Sequence, residues 1–571
     1  MEYFIFAGAM LLLIVIIMLK GYWDGRQEQK KFVTKLHERY GAAVEREYGP
    51  EELERHIAMY YRKHKEAHQI DDITWHDLHL NEVYRKINYS HSAAGDEYLY
   101  YRLRTPVQDR EALERGEKHI LYFMEHEKER IALQQQFARL GRMRKYSLYE
   151  YLDYLDTLGN RNSIRYYLAV VLALIGISMM FYSVPVGLCA LLLILCRNMI
   201  FYYKEQKEIE PYITSFHYIS RLMESAELIA KEAIDEIAPE REQLRSCCKA
   251  MEGFRRNSFI ILSGGRSGMG SAGSNPLELL FDYVRMIFYL DLIKFNQMLH
   301  MVQEHLSDID RMVTVIGELE TAVVIGEYRA SLKGDYCVPV FLSEKDHGVS
   351  LKLEQLYHPL LNDPVKNDIE VKKGILLTGS NASGKSTFLR AVALNAVLAQ
   401  TIHTCMAKSH RGGMFYIYSS MSLQDDLESG DSYYMVEVKS IRRILEKVKE
   451  AEKDKKQVLC FVDEVLRGTN TVERIAASTQ ILKALAGKNA LCFAATHDLE
   501  LTKLLNGIYD NYHFEEEIAD EDIFFPYRLQ KGPAVSRNAI ALLKVLGYDE
   551  TLVEDAEAMA EDFLNTGEWK E

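Results

Sequence analysis

The chain has 571 residues, of which 48% are hydrophobic and 27% charged, and its net charge at pH 7 is −14. This length predicts several domains, and the ordinary composition excludes a wholly disordered chain, a collagen and a small disulfide scaffold. The eight cysteines form no C-x-x-C pair, which excludes a zinc ribbon. The excess of acidic residues disfavours general binding to duplex DNA, although an acidic chain can still contain a local basic patch.

An uninterrupted apolar run occupies residues 3–19. A helix of this length spans roughly 25 Å, which is enough for a hydrocarbon core. A signal peptide would need a basic start and a small-residue cleavage site, whereas this chain starts with Met1 and Glu2. The basic residues that follow the run are Lys20, Arg26, Lys30 and Lys31. Because positive charge stays in the cytoplasm, residues 1–20 are predicted to be a transmembrane anchor with its N-terminus outside.

A second apolar run, residues 166–196, is too long for a single crossing. Ser183, Pro185 and Gly187 lie near its middle and can form a turn. The pattern predicts a transmembrane hairpin over residues 166–203, with both charged flanks in the cytoplasm. The alternative is a buried helical hairpin of a soluble protein. The predicted localisation is the cell membrane, with several crossings and a cytoplasmic C-terminal domain.

The remaining chain changes character near residue 336. Residues 21–165 and 204–335 have helical spacing of apolar residues, whereas residues 336–571 alternate short β-rich runs with helices. The predicted fold is therefore multidomain: an α-helical core or lever region with transmembrane helices, followed by an α/β domain. A G-x-G-x-x-G match at residues 268–273 is interpreted as a flexible turn, because no second strand follows it.

A phosphate-binding motif, G-x-x-x-x-G-K-S, follows the apolar strand of residues 375–378 and precedes a helix. Its glycines allow backbone N–H groups to surround phosphates, and the helix N-terminus adds positive potential. Lys385 is expected to reach the β- and γ-phosphates, and Ser386 to supply an oxygen to Mg²⁺. The motif predicts a P-loop domain that uses ATP and Mg²⁺. The predicted nucleotide-binding loop comprises Gly379, Ser380, Asn381, Ala382, Ser383, Gly384, Lys385, Ser386 and Thr387.

Two further apolar strands end in polar residues. Asp463 and Glu464 follow residues 458–462, and Thr496 and His497 follow residues 491–495. At the carboxyl edge of a parallel sheet, Asp463 would hold Mg²⁺ and Glu464 would activate water as a general base. His497 would contact the γ-phosphate. Each feature alone is also compatible with a structural role, as an acidic turn or a strand-end histidine.

Four segments together resemble the ATPase domain of the MutS family of mismatch repair proteins. They are TGSNASGKSTFLR, DDLESGDSYYMVEV, FVDEVLRGTNT and ATHDLELTKL. The resemblance extends to residues 356–367 before the nucleotide site and to residues 527–540 near the C-terminus. It is weaker over residues 74–106 and 290–339, which are similar to the two ends of the MutS helical core.

This resemblance implies an ABC-type ATPase domain that works as a homodimer. Ser432 would begin a helix that faces the γ-phosphate of the partner subunit. Residues 467–471 would form a loop that crosses the dimer interface. The end of the chain would be a helical dimerisation segment.

Two departures from the family affect the expected function. The chain has no counterpart of the mismatch-reading and connector domains, and a valine, Val365, stands where the family has an aromatic residue that stacks on adenine.

We therefore expect a membrane-anchored MutS-like ATPase that couples ATP hydrolysis to mismatched, branched or damaged DNA. The alternative is a membrane-bound ATP switch that acts on protein partners. A basic stripe would favour DNA, and its candidates are residues 139–145 and 249–256. An ABC-type transporter is disfavoured, because about three crossings cannot line a path.

Overall fold

The structure is a computed structural model, and its contacts define two units. The first unit comprises Met1–His64, Asn88–Tyr101 and Lys118–Glu327. The second comprises Lys65–Ile87, Arg102–Glu117 and Tyr328–Glu571. The residues that the structure describes are 2–44, 46–49, 51–143, 146–159, 161–256, 284, 286–342, 349–380, 383–421, 433–467, 469–487, 489–519, 522–534, 540, 543 and 547–566.

Helices account for most of the described chain. In chain order they are α1 (Glu2–Arg39), α2 (Met59–Lys63), α3 (Asp72–Asp77), α4 (Leu80–Ile87), α5 (Ala93–Arg104), α6 (Arg110–Glu125), α7 (Glu127–Leu140), α8 (Leu148–Thr157), α9 (Ile164–Met179), α10 (Val184–Lys231), α11 (Ala238–Ala250), α12 (Leu290–Glu304), α13 (Leu306–Ser331), α14 (Lys385–Thr401), α15 (Tyr433–Lys453), α16 (Thr471–Leu485), α17 (Glu500–Leu504) and α18 (Glu550–Thr566). A π-helical turn spans Glu52–Ile57 and a 3₁₀ turn spans Asp235–Ile237.

The described strands all lie in the second unit. In chain order they are β1 (Val340–Phe341), β2 (Leu351–Leu356), β3 (Asn367–Val371), β4 (Gly374–Thr378), β5 (Ser409–Gly412), β6 (Phe415–Ser420), β7 (Gln457–Asp463), β8 (Ala490–Ala495), β9 (Tyr509–His513), β10 (Glu517–Ala519), β11 (Asp522–Phe524) and β12 (Gln530–Lys531). The helical start and mixed α/β end agree with the predicted fold class.

The first unit is held together by the C-terminal half of α10. Its buried residues recur at intervals of three and four, which places them on one helix face. They include Ile209, Tyr212, Phe216, Ile219 and Met223. The ring of Phe216 packs against Phe254 and Phe295 at centroid distances of 5.8 and 5.1 Å. This apolar face organises the helical core of the unit.

Helices α9 and α10 form a hairpin at the position that the sequence predicted. Helix α9 ends at Met179 and α10 begins at Val184. The helices approach so closely there that a Cβ atom on Gly187 would lie 2.4 Å from the backbone nitrogen of Met180. Phe181 and Tyr182 in the turn are 92% and 97% exposed. Glycine therefore permits this turn, and the turn presents aromatic rings outward.

Of the described helices, α10 is long and apolar enough to cross a membrane, and α9 is apolar but has only 16 residues. At 1.5 Å per residue α9 spans about 24 Å, which is short for a bilayer core. The predicted anchor, residues 1–20, falls in the first part of α1, and the side chains of residues 2–15 lie outside the described ones. The expected three crossings stay a prediction.

The second unit is built on a six-stranded sheet of order β12-β9-β4-β8-β7-β6. All neighbouring pairs from β9 to β6 are parallel, and β12 is an antiparallel edge strand. Strands β4, β7 and β8 are buried along their whole length, as expected for a parallel sheet covered on both faces. Their carboxyl ends consequently meet at one edge, where ligands bind in such sheets. A smaller sheet has the order β1-β5-β2-β3.

Residues 65–87 belong to the second unit although the sequence grouped them with the helical segment 21–165. Asp77 of α3 accepts hydrogen bonds from Ser419 Oγ at 2.7 Å and from the N–H of Met421 at 2.9 Å. Thr74 Oγ1 accepts the N–H of Ser419 at 3.1 Å. These bonds join α3 to the end of β6. Residues 65–87 therefore belong to the second unit. No local sequence pattern predicts a contact over such a separation.

Candidate nucleotide-binding site

The predicted phosphate loop connects β4 to α14, as its sequence indicated. Gly379 and Gly384 adopt positive φ angles of 137° and 101°, which other residues disfavour. A Cβ atom on Gly379 would lie 2.6 Å from the carbonyl oxygen of Phe514. Gly384 directly precedes the first residue of α14, so the amides of that helix point into the loop. Asn381 and Ala382 lie outside the described residues.

The side chain of Lys385 lies inside this loop and bonds to its backbone. This side chain is buried, and Nζ donates to the carbonyl oxygens of Gly379 at 2.8 Å and Ser380 at 2.7 Å. Burial lowers the pKa of Lys385 to about 8. A bound phosphate would offer this ammonium group stronger acceptors than neutral carbonyl groups.

Ser386 and Asp463 form the part of the site that fits a metal ion. Ser386 Oγ donates to Asp463 Oδ2, which joins the start of α14 to the end of β7. The other oxygen, Oδ1, is buried and has no hydrogen-bond partner among the described residues. A buried carboxylate oxygen without a partner is costly. Since Mg²⁺ takes oxygen ligands and is usually held by one or two carboxylates plus phosphates, the pair fits this ion.

Glu464 is the next residue after β7 and lies beside His497. The Oε1 atom is 2.9 Å from His497 Nε2, and Oε2 forms an ion pair with Arg467. Burial alone would raise the pKa of Glu464, but the hydrogen bond from His497 and the charges of Arg467, His497 and Lys385 outweigh it and lower the pKa. The carboxylate is therefore ionised at neutral pH, the state needed to accept a hydrogen bond from water.

Tyr527, to which the sequence assigned no role, is an aromatic residue at the mouth of the loop. The ring of Tyr527 is so near Gly384 that a Cβ atom there would lie 2.9 Å from Tyr527 Cδ1. Asn367 Nδ2 donates to the carbonyl oxygens of Tyr527 at 3.0 Å and Val365 at 3.5 Å. Val365 and Tyr527 are thus linked and both are exposed. In the sequence, the signal for Tyr527 was its place as an aromatic residue in segment 527–540, which resembles the MutS family.

The structure brings together Lys385, Ser386, Asp463, Glu464 and His497, the residues to which the sequence assigned chemistry. The remaining loop residues have local partners: Ser380 Oγ donates to Glu516 at 3.1 Å, and Ser383 Oγ donates to the carbonyl of Ser380 at 2.7 Å. Thr387 is in the first turn of α14. Ser432, assigned to the partner's nucleotide, lies outside the described residues.

A glycine loop between a parallel strand and a buried helix, with a lysine inside it and a serine–aspartate pair beside it, defines a P-loop nucleotide-binding domain. Comparison with known proteins narrows the class. Residues 375–564 match the family model of MutS domain V.

The chain is also similar to curated mismatch repair proteins. It is 30% identical over 250 residues to the DNA mismatch repair protein MutS from each of two strains of Thermus thermophilus, and 29% identical to that of Thermus caldophilus. Each match covers 43% of this chain and 29% of the relative, so the chain spans less than a third of the length of these proteins. The C-terminal part of the chain is therefore related to the ATPase domain of the MutS family.

Proposed function

We propose that the protein is a MutS-like ATPase that binds and hydrolyses Mg-ATP as a homodimer and is tethered to the membrane. The ATPase activity is proposed because three groups of side chains lie together at one edge of the sheet. Lys385 lies inside the phosphate loop, Ser386 bonds Asp463, and Glu464 contacts His497. These groups supply phosphate binding, metal ligation and water activation within one site.

Each residue has a distinct part in hydrolysis. Lys385 and the amides at the start of α14 hold the phosphates. Ser386 and Asp463 would hold Mg²⁺, which when bound would offset negative charge on the phosphate oxygens. Glu464 orients the attacking water. Its carboxylate has about four acceptor sites, of which His497 and Arg467 use one on each oxygen, so water can donate to a remaining site. His497, beside Glu464, contacts the γ-phosphate.

Tyr527 replaces the missing aromatic residue at Val365 as the surface for adenine. Its ring lies against Gly384, beside the phosphate loop, and is exposed. Every nucleobase presents a π-face to such a ring. The base then packs next to the link that Asn367 makes between Tyr527 and Val365.

The ATPase is tested with purified full-length protein in detergent. Glu464→Gln is expected to bind ATP but to turn it over about 100-fold or more slowly, because it loses the water-activating carboxylate. Lys385→Ala is expected to lose nucleotide affinity itself. Glu473→Gln, an exposed change in the first turn of α16, is the matched control and should behave like the wild type. Unchanged turnover in Glu464→Gln would refute its assigned role.

Dimer formation is proposed from the family-like segments 430–437 and 467–471. The Glu464→Gln variant should trap the ATP-bound state, so its mass in detergent should double on adding Mg-ATP, as measured by light scattering. Lys385→Ala should stay at one mass with and without nucleotide. A single mass under all conditions would count against ATP-driven dimerisation.

The proposed ligand of the helical region is mismatched, branched or damaged DNA, because the curated relatives are DNA mismatch repair proteins. The test is binding of matched, mismatched and branched duplexes, with and without ATP, at two salt concentrations. Structure-selective binding that ATP modulates supports DNA as the ligand. No binding at low salt, with hydrolysis intact, supports a different ligand.

One observation favours the alternative, in which the switch acts on protein partners. Arginines in both candidate basic stripes are paired with acids. Arg139 is 3.3 Å from Glu224, Arg142 is 3.0 Å from Asp96, and Arg255 pairs with Glu227. Cations that are already paired attract phosphates less strongly. Failure of DNA binding in the experiment above would therefore lead to a search for protein ligands.

The membrane tether is proposed from the apolar hairpin of α9 and α10, whose outward side chains would otherwise face water. The expected topology places the hairpin turn outside and the ATPase domain in the cytoplasm. After Cys189→Ser and Cys196→Ser, a Phe181→Cys variant should react with an impermeant maleimide in intact cells. Labelling only after lysis would contradict this topology.

A further inference from the structure

The loop that carries Glu464 has an unusual backbone. Glu464 and Leu466 have φ angles of 57° and 61°, in the left-handed region that residues other than glycine disfavour. Two such residues within three positions persist only where the surroundings hold them in place. The loop directly follows β7, so its backbone determines where the carboxylate of Glu464 points.

Neighbouring elements hold this loop at successive positions. The N–H of Glu464 donates to the carbonyl of Ala495 at 3.0 Å, at the end of β8. Ser478 Oγ of α16 donates to the carbonyl of Val465 at 3.2 Å. These contacts fix the start of the loop. A different element, α15, fixes the residue with the second left-handed backbone.

That contact comes from Glu437, in the first turns of α15. The carboxylate oxygen Oε1 accepts the backbone N–H of Leu466 at 2.5 Å. Glu437 is only 2% exposed. Burial raises its pKa, while hydrogen bonds from the backbone of Leu466 and Arg467 and the charge of Arg467 act in the opposite direction. A carboxyl group is costly to bury, and here it accepts a backbone hydrogen bond from the loop that carries Glu464.

We propose that Glu437 is a positioning residue for ATP hydrolysis, which holds Leu466 so that the preceding Glu464 stays directed at the attacking water. This inference rests on the proposed ATPase function. Glu437 does not touch the nucleotide in this role. It acts through the backbone of the loop.

The position of Glu437 gives the contact a second consequence. Helix α15 starts at Tyr433. The family resemblance implies that Ser432, which lies outside the described residues, faces the partner's γ-phosphate. If ATP in the partner's site shifted the start of α15, Glu437 would carry Leu466 with it and change the direction of Glu464. The hydrogen bond would then couple the start of α15 to hydrolysis in the same subunit.

The experiment compares Glu437→Leu, which removes the acceptor, with Glu437→Gln, whose amide oxygen can still accept the N–H of Leu466. The control is Glu446→Gln, at an exposed position of the same helix whose partner is Arg442. Full-length protein in detergent is assayed for kcat, for affinity towards a fluorescent ATP analogue, and for amide hydrogen exchange of the peptide that contains Leu466.

Glu437→Leu is expected to lower kcat about tenfold or more with nucleotide affinity within about twofold, because misplacing one group affects the chemical step. Exchange at Leu466 should accelerate in the same variant. Glu437→Gln and Glu446→Gln should keep both kcat and protection near wild-type values. A merely structural role would instead lower affinity and kcat together.

Three results would overturn the proposal: wild-type kcat in Glu437→Leu, an equal loss of kcat in Glu437→Gln, or a parallel loss of affinity. If the wild type itself does not hydrolyse ATP, the proposed function fails. The exchange measurement still tests the contact in that case. Unchanged protection of Leu466 in Glu437→Leu would show that Glu437 does not hold the loop.

Discussion

Removing the buried Arg329 should destabilise the second unit strongly. The side chain of Arg329 is inaccessible to solvent, and its guanidinium donates to Glu117 Oε1 and Oε2 at 2.6 and 2.7 Å. It also donates to Thr404 Oγ1 at 2.9 Å and to the carbonyl of His403 at 2.8 Å. Arg329→Met keeps much of the volume but removes every one of these donors.

The magnitude follows from what the substitution leaves behind. Glu117 keeps His403 Nδ1 at 2.9 Å but loses both bonds to Arg329. Leaving one charge of a buried pair uncompensated costs about 3–5 kcal/mol. For a unit of this size that corresponds to a fall in Tm of about 6–20 °C. Replacing both partners, in Arg329→Met with Glu117→Leu, should recover the part of the loss that comes from the uncompensated carboxylate of Glu117. The acceptors on Thr404 and His403 still lack their donor in this variant.

The assay uses Trp75, which is buried in the second unit. With Trp23→Phe and Trp569→Phe as background, the emission of Trp75 reports thermal unfolding of this unit in the full-length protein. Burial raises the pKa of Glu117, but the hydrogen bonds from Arg329 and His403 outweigh it and hold the pKa below 4.5. The stabilisation is therefore present above pH 4.5 and is lost as the pH falls through the folded-state pKa. An unchanged Tm in the single variant at pH 7, or a double variant as unstable as the single one, would refute the reasoning.

Three further predictions concern the nucleotide and a buried acid. Tyr527→Ala should weaken ATP binding about 5- to 100-fold in a fluorescence titration, through loss of base stacking, and an unchanged Kd would exclude Tyr527 as the adenine surface. Because burial lowers the pKa of Lys385 to about 8, ATP affinity should be constant below that pH and decline above it, and equal affinity at pH 7 and about pH 9 would contradict this. Burial raises the pKa of Glu320 to about 7 from 4.5, so its stabilising contribution is full below pH 4.5 and is lost as the pH rises through 7. The Tm of the wild type, followed by near-UV circular dichroism, should therefore fall over this range relative to Glu320→Gln, and parallel curves would refute the prediction.

The strands that carry the candidate nucleotide site were largely predictable because their residues follow local patterns. The strand of residues 375–378 is observed as Gly374–Thr378, and those of 458–462 and 491–495 as Gln457–Asp463 and Ala490–Ala495. Buried parallel strands are continuous apolar runs, and polar residues after them mark the carboxyl edge. The strand order, with β8 between β4 and β7, has no such local signal.

Contacts between distant segments were not predictable. In the sequence, Asp77 looks like an ordinary acidic residue of a short helix, and Glu437 like one polar position of an amphipathic helix. Their burial depends on Ser419, Met421 and Leu466, whose positions only the folded chain defines. Tyr527 had a weak signal in its family-like segment, but its approach to Gly384 depends on the fold of the whole unit.

The contact of Asp77 with Ser419 has a consequence for biosynthesis. The two residues are 342 positions apart, so the ribosome completes α3 long before it makes β6. Helix α3 therefore lacks its final partner until β6 is made, which happens after the hairpin of α9 and α10 has been synthesised. Non-local pairing of this kind slows folding. A fragment that begins at residue 336 would lack α3 and leave the N–H of Met421 without this acceptor, so an isolated C-terminal domain would lose the contact that Lys65–Ile87 supplies.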